Sequence, residues 1–333
     1  MTQLGISLGW SQREPPEKMI ELVQAAEAEG VDACWVIDSQ LAMRDPFALL
    51  ALLAQNTNKI ALGPGVTNLV TRHETVVANS LATLAALAPG RTLAGVGAGD
   101  SAVFPIGIKP QTVLELKAAV PRLAALLDGR EVDGPTSTYS VAAATPPRPP
   151  VFLSASQPRM LELAGAVADG VIVMGPANPE VWESQWGHIN AGARAAGRDP
   201  TDVARDFWVT MAVGDDAIAS VRSWASAQAR WLARWRQVPP SLQPFTAEMR
   251  ASVEAYDFAK HLSVSATHAQ AVSDELAGAL AVTGTAAECM RRLEELIAIQ
   301  PDRITITLLS GGRRRRLDDL LEVWAGVSAV SLP

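Results

Sequence analysis

The sequence predicts a (β/α)8 barrel spanning residues 1–333, and three observations predict it. Eight short apolar runs alternate with eight amphipathic, helix-like runs along a chain of 333 residues. The strand-like runs are apolar throughout rather than alternating, as parallel strands covered on both faces require. The residues directly after those runs are glycines, small hydroxyls and carboxylates, and a barrel keeps its chemistry at the C-terminal ends of its strands.

The elements follow in order. Leu4 to Leu8 reads as the first strand, and Pro15 to Glu29 as a helix opened by proline and stopped at Gly30. Asp32 to Ile37 is the second strand, and Asp45-Pro46 opens a helix to Gln55. A third strand begins at Lys59, and its helix runs from Glu74 to Leu87 before Pro89-Gly90. Arg91 to Val96 is the fourth strand, followed by a helix from Gln111 to Leu127. Residues 128–150 break the rhythm and read as a hairpin and proline-rich linker. The rhythm resumes with strand Val151 to Ser154, helix Pro158 to Ala168, strand Gly170 to Met174 and helix Pro179 to Ala196. Asp206 to Val213 and Asp215 to Trp235 form the seventh pair. A helical insertion at 237–281, carrying Phe245, Tyr256, Phe258 and His261, is a candidate lid. Thr283-Gly284-Thr285 caps the next helix, Arg303 to Leu309 is the eighth strand, and a last helix follows.

Composition narrows the function classes. With 48% hydrophobic and 19% charged residues the chain can bury a large core. Its formal charge of -7 argues against a nucleic-acid partner, which needs a basic surface. The basic run Arg313 to Arg316 reads as a solvated loop and helix start. Cys34 and Cys289 lie far apart, so no disulfide framework is expected. Cys34 sits in an apolar run, as a buried thiol would. No run reaches membrane-spanning length and no leader pattern precedes the first strand, so a cytoplasmic protein without a membrane partner is expected. The histidines His73, His188, His261 and His268 show no metal-ligand spacing, so no metal site is expected. His73 reads as a helix cap. Trp224, Trp231 and Trp235 recur at helical spacing and read as a buried core or dimer stripe.

The densest signal is Gly95-Val-Gly97-Ala98-Gly99-Asp100-Ser101, at the end of the fourth strand. Glycine lets backbone approach a neighbour or ligand closely. A carboxylate there suits chemistry, although Asp100 also reads as the cap of a short helix or turn. Asp38-Ser39 ends the second strand, and Asp38 reads equally as a turn cap or as a site carboxylate. Gly63-Pro64-Gly65 reads as a turn on the residues alone. Ser154-Ala155-Ser156-Gln157-Pro158 leads a strand into a helix N-terminus, where backbone N–H groups favour an anion, or where a serine simply caps the helix.

Taken together, Trp35-Val-Ile-Asp38-Ser39-Gln40, Leu62-Gly-Pro-Gly65-Val66-Thr-Asn68, Thr71-Arg72-His73, Gly95 to Ala102, Ser154 to Pro158, Ala168-Asp169-Gly170 and Gly284-Thr285 resemble the luciferase-like flavin- and F420-dependent oxidoreductases. The resemblance is nearest to methylenetetrahydromethanopterin-reductase-like members. It covers most of residues 1–175 and resumes in the last quarter. It implies a barrel binding F420, or FMN as the alternative, a homodimer or larger homo-oligomer, and a separate flavin or F420 reductase as a possible partner. It implies a cis peptide at Gly65-Val66 that presses a bulge against the cofactor ring. Asp38, Asn68, Gly97, Ala98 and Gly99 would stand near the ring and its side chain. Ser154, Ala155, Ser156 and Gln157 would bind the cofactor phosphate, together with Met174 and Gly175. The three glycines of the fourth strand end would make room for the planar ring. Asp100 would supply or orient a proton beside a small-molecule substrate, with Asp38 and Ser39 completing the catalytic set. Sugar-oxidising relatives carry a histidine base where this chain has Ser39, and an aromatic residue where it has Met43. That departure speaks against alcohol or sugar-phosphate oxidation; the first reading is an F420-dependent reductase or dehydrogenase passing a hydride between the deazaflavin and a small organic substrate with an imine, iminium or enone-like group. It also lowers the weight of a two-component FMN monooxygenase and keeps open a non-catalytic flavin-binding paralogue.

Overall fold

The computed structural model describes residues 1–235, 238–256 and 267–330. These divide into two compact units. The larger unit, Gln3–Val173 with Gly187–Asp206, opens with β1 (Gln3–Leu8), α1 (Pro16–Ala28), β2 (Ala33–Val36) and α2 (Pro46–Asn56). β3 (Ala61–Pro64) and β4 (Thr67–Asn68) are two halves of one strand, interrupted at Gly65-Val66. α3 (Glu74–Leu87), β5 (Ala94–Gly97) and α4 (Val113–Leu127) follow. A short antiparallel pair, β6 (Val132–Asp133) and β7 (Thr138–Tyr139), fills the predicted hairpin region. β8 (Val151–Ala155), α5 (Pro158–Val167), β9 (Gly170–Met174) and the C-terminal part of α6 (Pro179–Ala195) complete it.

Apart from the β6/β7 hairpin, its strands are parallel and mostly buried on both faces. β1 pairs β2 and β2 pairs β3, while β4 pairs β5, β5 pairs β8 and β8 pairs β9. A bridge from Leu62 to Thr92 closes the step from β3 to β5. Helices α1 to α5 each pack against the next. Local chemistry starts them: proline stands in the first turn of α1, α2 and α5, and Thr112 with Glu115 forms a capping box on α4. His73 caps α3 by accepting from the Thr75 N–H at 3.3 Å, as its sequence reading has it. The hairpin is held by its tyrosine: Tyr139 Oη donates to Glu74 at 2.8 Å and accepts from Arg122 at 2.7 Å.

The smaller unit holds Met174–Trp186 and the chain from Phe207. It carries most of β10 (Ala204–Val213), then α7 (Ala217–Leu232), α8 (Thr246–Ala255), α9 (Asp274–Leu280), β11 (Val282–Gly284), α10 (Ala286–Ile297), β12 (Arg303–Leu308) and α11 (Arg313–Val330). β11 was expected only as a helix cap. It is a three-residue parallel partner of β10, with Met211 opposite Val282. Thr285 next to it does form a capping box with Glu288. The tryptophan stripe is not a fully buried core of this chain. Trp224, Trp231 and Trp235 are only partly buried, and the buried residues of α7 are mostly small or polar, Ala225 to Arg230 among them, with Val221 and Leu232. The arginine run opens α11, where Arg314 pairs with Asp318 and Arg315 with Asp216 and Asp319. In the 237–281 insertion, Phe258 and His261 lie outside the described residues. Among the described residues no helix is long and apolar enough to cross a membrane.

Candidate active site

The strand order of the larger unit gathers the predicted loops. β2, the β3/β4 strand, β5 and β8 are successive parallel neighbours, so Asp38, Gly65-Val66, Gly97 to Asp100 and Ser154 to Gln157 all emerge at one end of adjacent strands. The Gly65-Val66 peptide is cis, as the resemblance implies.

The glycines of β5 admit close protein neighbours. A Cβ on Gly95 would meet the Pro64 carbonyl oxygen at 2.2 Å and Trp35 at 2.9 Å. One on Gly97 would meet Val66 Cγ2 at 2.8 Å. Gly99 has φ of +90° and lies against Val103. The room these residues leave is filled by protein: β5 carries no side chain at 95 and 97, so that the Val66 bulge and Trp35 can pack on it. Trp35 is itself fixed, donating from Nε1 to Asp206 at 2.9 Å and meeting Phe152 edge-on at 5.5 Å.

Asp38 is 5% exposed. Its Oδ2 accepts from Thr67 Oγ1 at 2.7 Å and from Arg72 Nε at 3.1 Å. Arg72 also donates to Asp45 at 2.7 Å, and Asp45 caps α2 through the Ala48 N–H. Burial raises the Asp45 carboxyl, but the Ala48 N–H and the Arg72 guanidinium outweigh it and hold it below the usual range. Asp38 thus ties the end of β2 to β4 and to the segment entering α3. Ser39, 4% exposed, hydrogen-bonds Ser101, and Gln40 Nε2 donates to the Ala102 carbonyl at 2.6 Å. Asn68 turns onto its own loop, its Oδ1 accepting from the N–H groups of Val70 and Thr71.

Asp100 is partly buried, and its carbonyl accepts from the N–H groups of Val103 and Phe104. The short 3-10 helix Phe104–Ile106 takes Val103 as its N-cap, so Asp100 does not cap it. The Ala98 carbonyl accepts from the Gln111 N–H at 2.8 Å. Ser156 does not cap α5 either: Gln157 occupies that position, Pro158 follows, and no side chain caps the helix. An uncapped helix N-terminus retains its attraction for an anion. Ser154 is partly buried and Ala155 buried. Met174 and Gly175 belong to the smaller unit, where Gln185 lies 3.2 Å from the Cβ position of Gly175 and Gln228 donates to its carbonyl. Thr67, Arg72 and Ser101 were not singled out from sequence. Each sits inside a quoted motif, but only the fold shows which carboxylate or hydroxyl it meets. Among the described residues no cluster of three or more His, Cys, Asp and Glu is placed to hold a metal.

Residues 2–303 match the family model described as luciferase-like monooxygenase. The chain belongs to this luciferase-like family. Within it the chain is 30% identical over 300 residues to the 5,10-methylenetetrahydromethanopterin reductase of Methanolobus tindarius, covering 86% of this chain and 88% of that one. It is 29% identical over 275 residues to the F420-dependent hydroxymycolic acid dehydrogenase of Mycobacterium tuberculosis, covering 74% of this chain and 71% of that one. The structure of the F420-dependent tetrahydromethanopterin reductase from Methanopyrus kandleri superposes with a TM-score of 0.77 at 23% identity, covering 98% and 99% of the two chains. That likeness establishes the fold of this luciferase-like chain as the (β/α)8 barrel the sequence predicts.

The residues present suit a planar cofactor carrying a phosphate. Val66, partly exposed, stands on a glycine-stripped strand, and the uncapped start of α5 lies beyond β8, the next strand after β5.

Proposed function

We propose that the protein is an F420-dependent oxidoreductase that passes a hydride between the deazaflavin and a small organic substrate carrying an imine, iminium or enone-like group. The likeness to F420-dependent relatives over most of the chain supports the cofactor. One observation carries the reaction class. Asp100 stands at the end of β5, beside the strand that carries Val66, and the position after Asp38 is a serine bonded to another serine rather than a base.

F420, when bound, supplies the hydride-carrying ring. The chain's own part is to place and protonate. Val66 supports the face of the ring, and the start of α5 with Ser156 and Gln157 binds the phosphate. In the reductive direction Asp100 gives a proton to an imine nitrogen or an enone oxygen as the carbon takes the hydride, so a hydride and a proton are added together; an iminium needs the hydride alone, and there Asp100 orients the cation. Asp38, already engaged by Thr67 and Arg72, keeps the strand ends in register.

The test is to titrate the purified protein separately with F420 and with FMN and follow tryptophan fluorescence. F420 is expected to quench it at lower concentration than FMN. Quenching by FMN alone would replace the reading with an FMN monooxygenase, and quenching by neither would leave a non-catalytic barrel.

A further inference from the structure

The same dipeptide, Asp-Ser, closes two strand ends: Asp38-Ser39 after β2 and Asp100-Ser101 after β5. The β3/β4 strand, which carries Val66, lies between them. The two serines meet across that strand end. Ser39 Oγ and Ser101 Oγ share a hydrogen bond, and the next residues repeat the grip through Gln40 and the Ala102 carbonyl. Two consecutive residues of one loop are therefore clamped to two of the other.

A hydroxyl has one proton to donate and two lone pairs to accept with. The bond between the serines uses one proton and leaves one. The neighbouring carboxylate oxygen Oδ2 of Asp38 is taken by Thr67 and Arg72. Ser39 is 4% exposed, whereas Ser101 keeps some exposure. The pair is thus a rigid hydrogen-bond donor held across the Val66 strand end and next in sequence to Asp100.

We infer that Ser101 is a substrate-anchoring residue: the Ser39–Ser101 pair donates its remaining proton, as a hydrogen bond, to the acceptor atom of the group being reduced. This rests on the hydride-transfer reading above. Hydrogen bonding to a carbonyl oxygen or imine nitrogen fixes which face meets the ring and draws electrons from the reacting carbon. A hydroxyl pair suits such an unsaturated substrate, while an alcohol would need a base to remove its proton.

The experiment uses the full chain loaded with F420, with cyclohexenone and the cyclic imine pyrroline as probes. Three quantities are measured for wild type, S39A, S101A and the double variant: F420 affinity by tryptophan quenching, kcat and KM with reduced F420, and the affinity of cyclohexenone for the oxidised F420 complex by calorimetry. Each single variant is expected to lower kcat/KM and weaken cyclohexenone binding about tenfold, the loss of one hydrogen bond. The double variant is expected to lose no more than either single, because the pair acts as a unit. F420 affinity should stay within about twofold, well below the effect of one lost hydrogen bond. Unchanged kcat/KM and cyclohexenone affinity in S101A would overturn the inference alone. So would an equal loss of F420 affinity, which would make the pair a loop tie. Wild-type protein that binds no F420 removes the hydride-transfer reading and this inference with it.

Discussion

Val66 Cγ2 stands 2.8 Å from the point that a Cβ on Gly97 would occupy. Gly95 is more confined, with a backbone oxygen, that of Pro64, at 2.2 Å from its Cβ position. A valine methyl can shift a few tenths of an ångström, but a strand carbonyl cannot without breaking the sheet. Overpacking of this kind costs about 1–3 kcal/mol. Gly95→Ala is therefore expected near the top of that range and Gly97→Ala near the bottom, both read by urea denaturation. Adding Val66→Ala to Gly97→Ala should recover part of the loss. Equal losses at the two glycines would show that the Pro64 carbonyl sets no stricter limit than the Val66 methyl.

Asp38 and Arg72 make a second relationship with a measurable cost. The Asp38 side chain is 2% exposed and the Arg72 side chain 22%. Removing the guanidinium leaves a buried carboxylate with Thr67 as its remaining donor among those described, and breaking a buried pair costs about 3–5 kcal/mol. Arg72→Ala should fall at the low end of that range, since water reaches part of the arginine. Adding Asp38→Asn should restore stability, because the charge that needed a partner is gone. A double variant less stable than Arg72→Ala would mean that Asp38 has a further charged partner.

Much of this was legible in the sequence, and what was not has physical reasons. The alternation of apolar and amphipathic runs located every barrel strand and helix, because burial on both faces leaves a continuous apolar signature such as Gly170 to Met174. β11 escaped because three residues beside a capping box look like the box alone. The glycines at 95 and 97 announced a close approach, but what approaches is Pro64, Trp35 and Val66, from other strands, which no local pattern encodes. In the same way Arg72 looked like part of a loop motif. Its pairing with Asp38 depends on β2 and the β3/β4 strand being neighbours.

Asp100 carries the proton-handling prediction. Asp100→Asn keeps the shape and removes the acid, so F420 affinity should hold while kcat falls about 10²-fold or more, the usual worth of a general acid. Tryptophan quenching gives the first quantity and steady-state turnover with cyclohexenone the second. Turnover equal to wild type would take Asp100 out of the mechanism. A parallel loss of F420 affinity would make it a cofactor-binding residue instead.

Asp169 gives a prediction in pH. It accepts from Arg148 Nη2 at 2.9 Å and from the Val151 N–H, at the start of β8, at 2.7 Å. Burial raises its carboxyl, but the Arg148 hydrogen bonds, the Val151 N–H and the charges of Arg148 and Arg198 outweigh this and hold it below its ordinary value. A carboxyl depressed on folding stabilises the protein above its unfolded value of about 4, and that contribution is lost as pH falls through the lower folded value. Asp169→Asn should therefore melt earlier than wild type by a constant margin near neutral pH, and the margin should shrink only below about pH 4. The margin should also shrink modestly in high salt, because the aspartate side chain is 35% exposed and its pairing partly screened. A margin that widens on acidification would reverse the sign and show that the native state favours the protonated carboxyl.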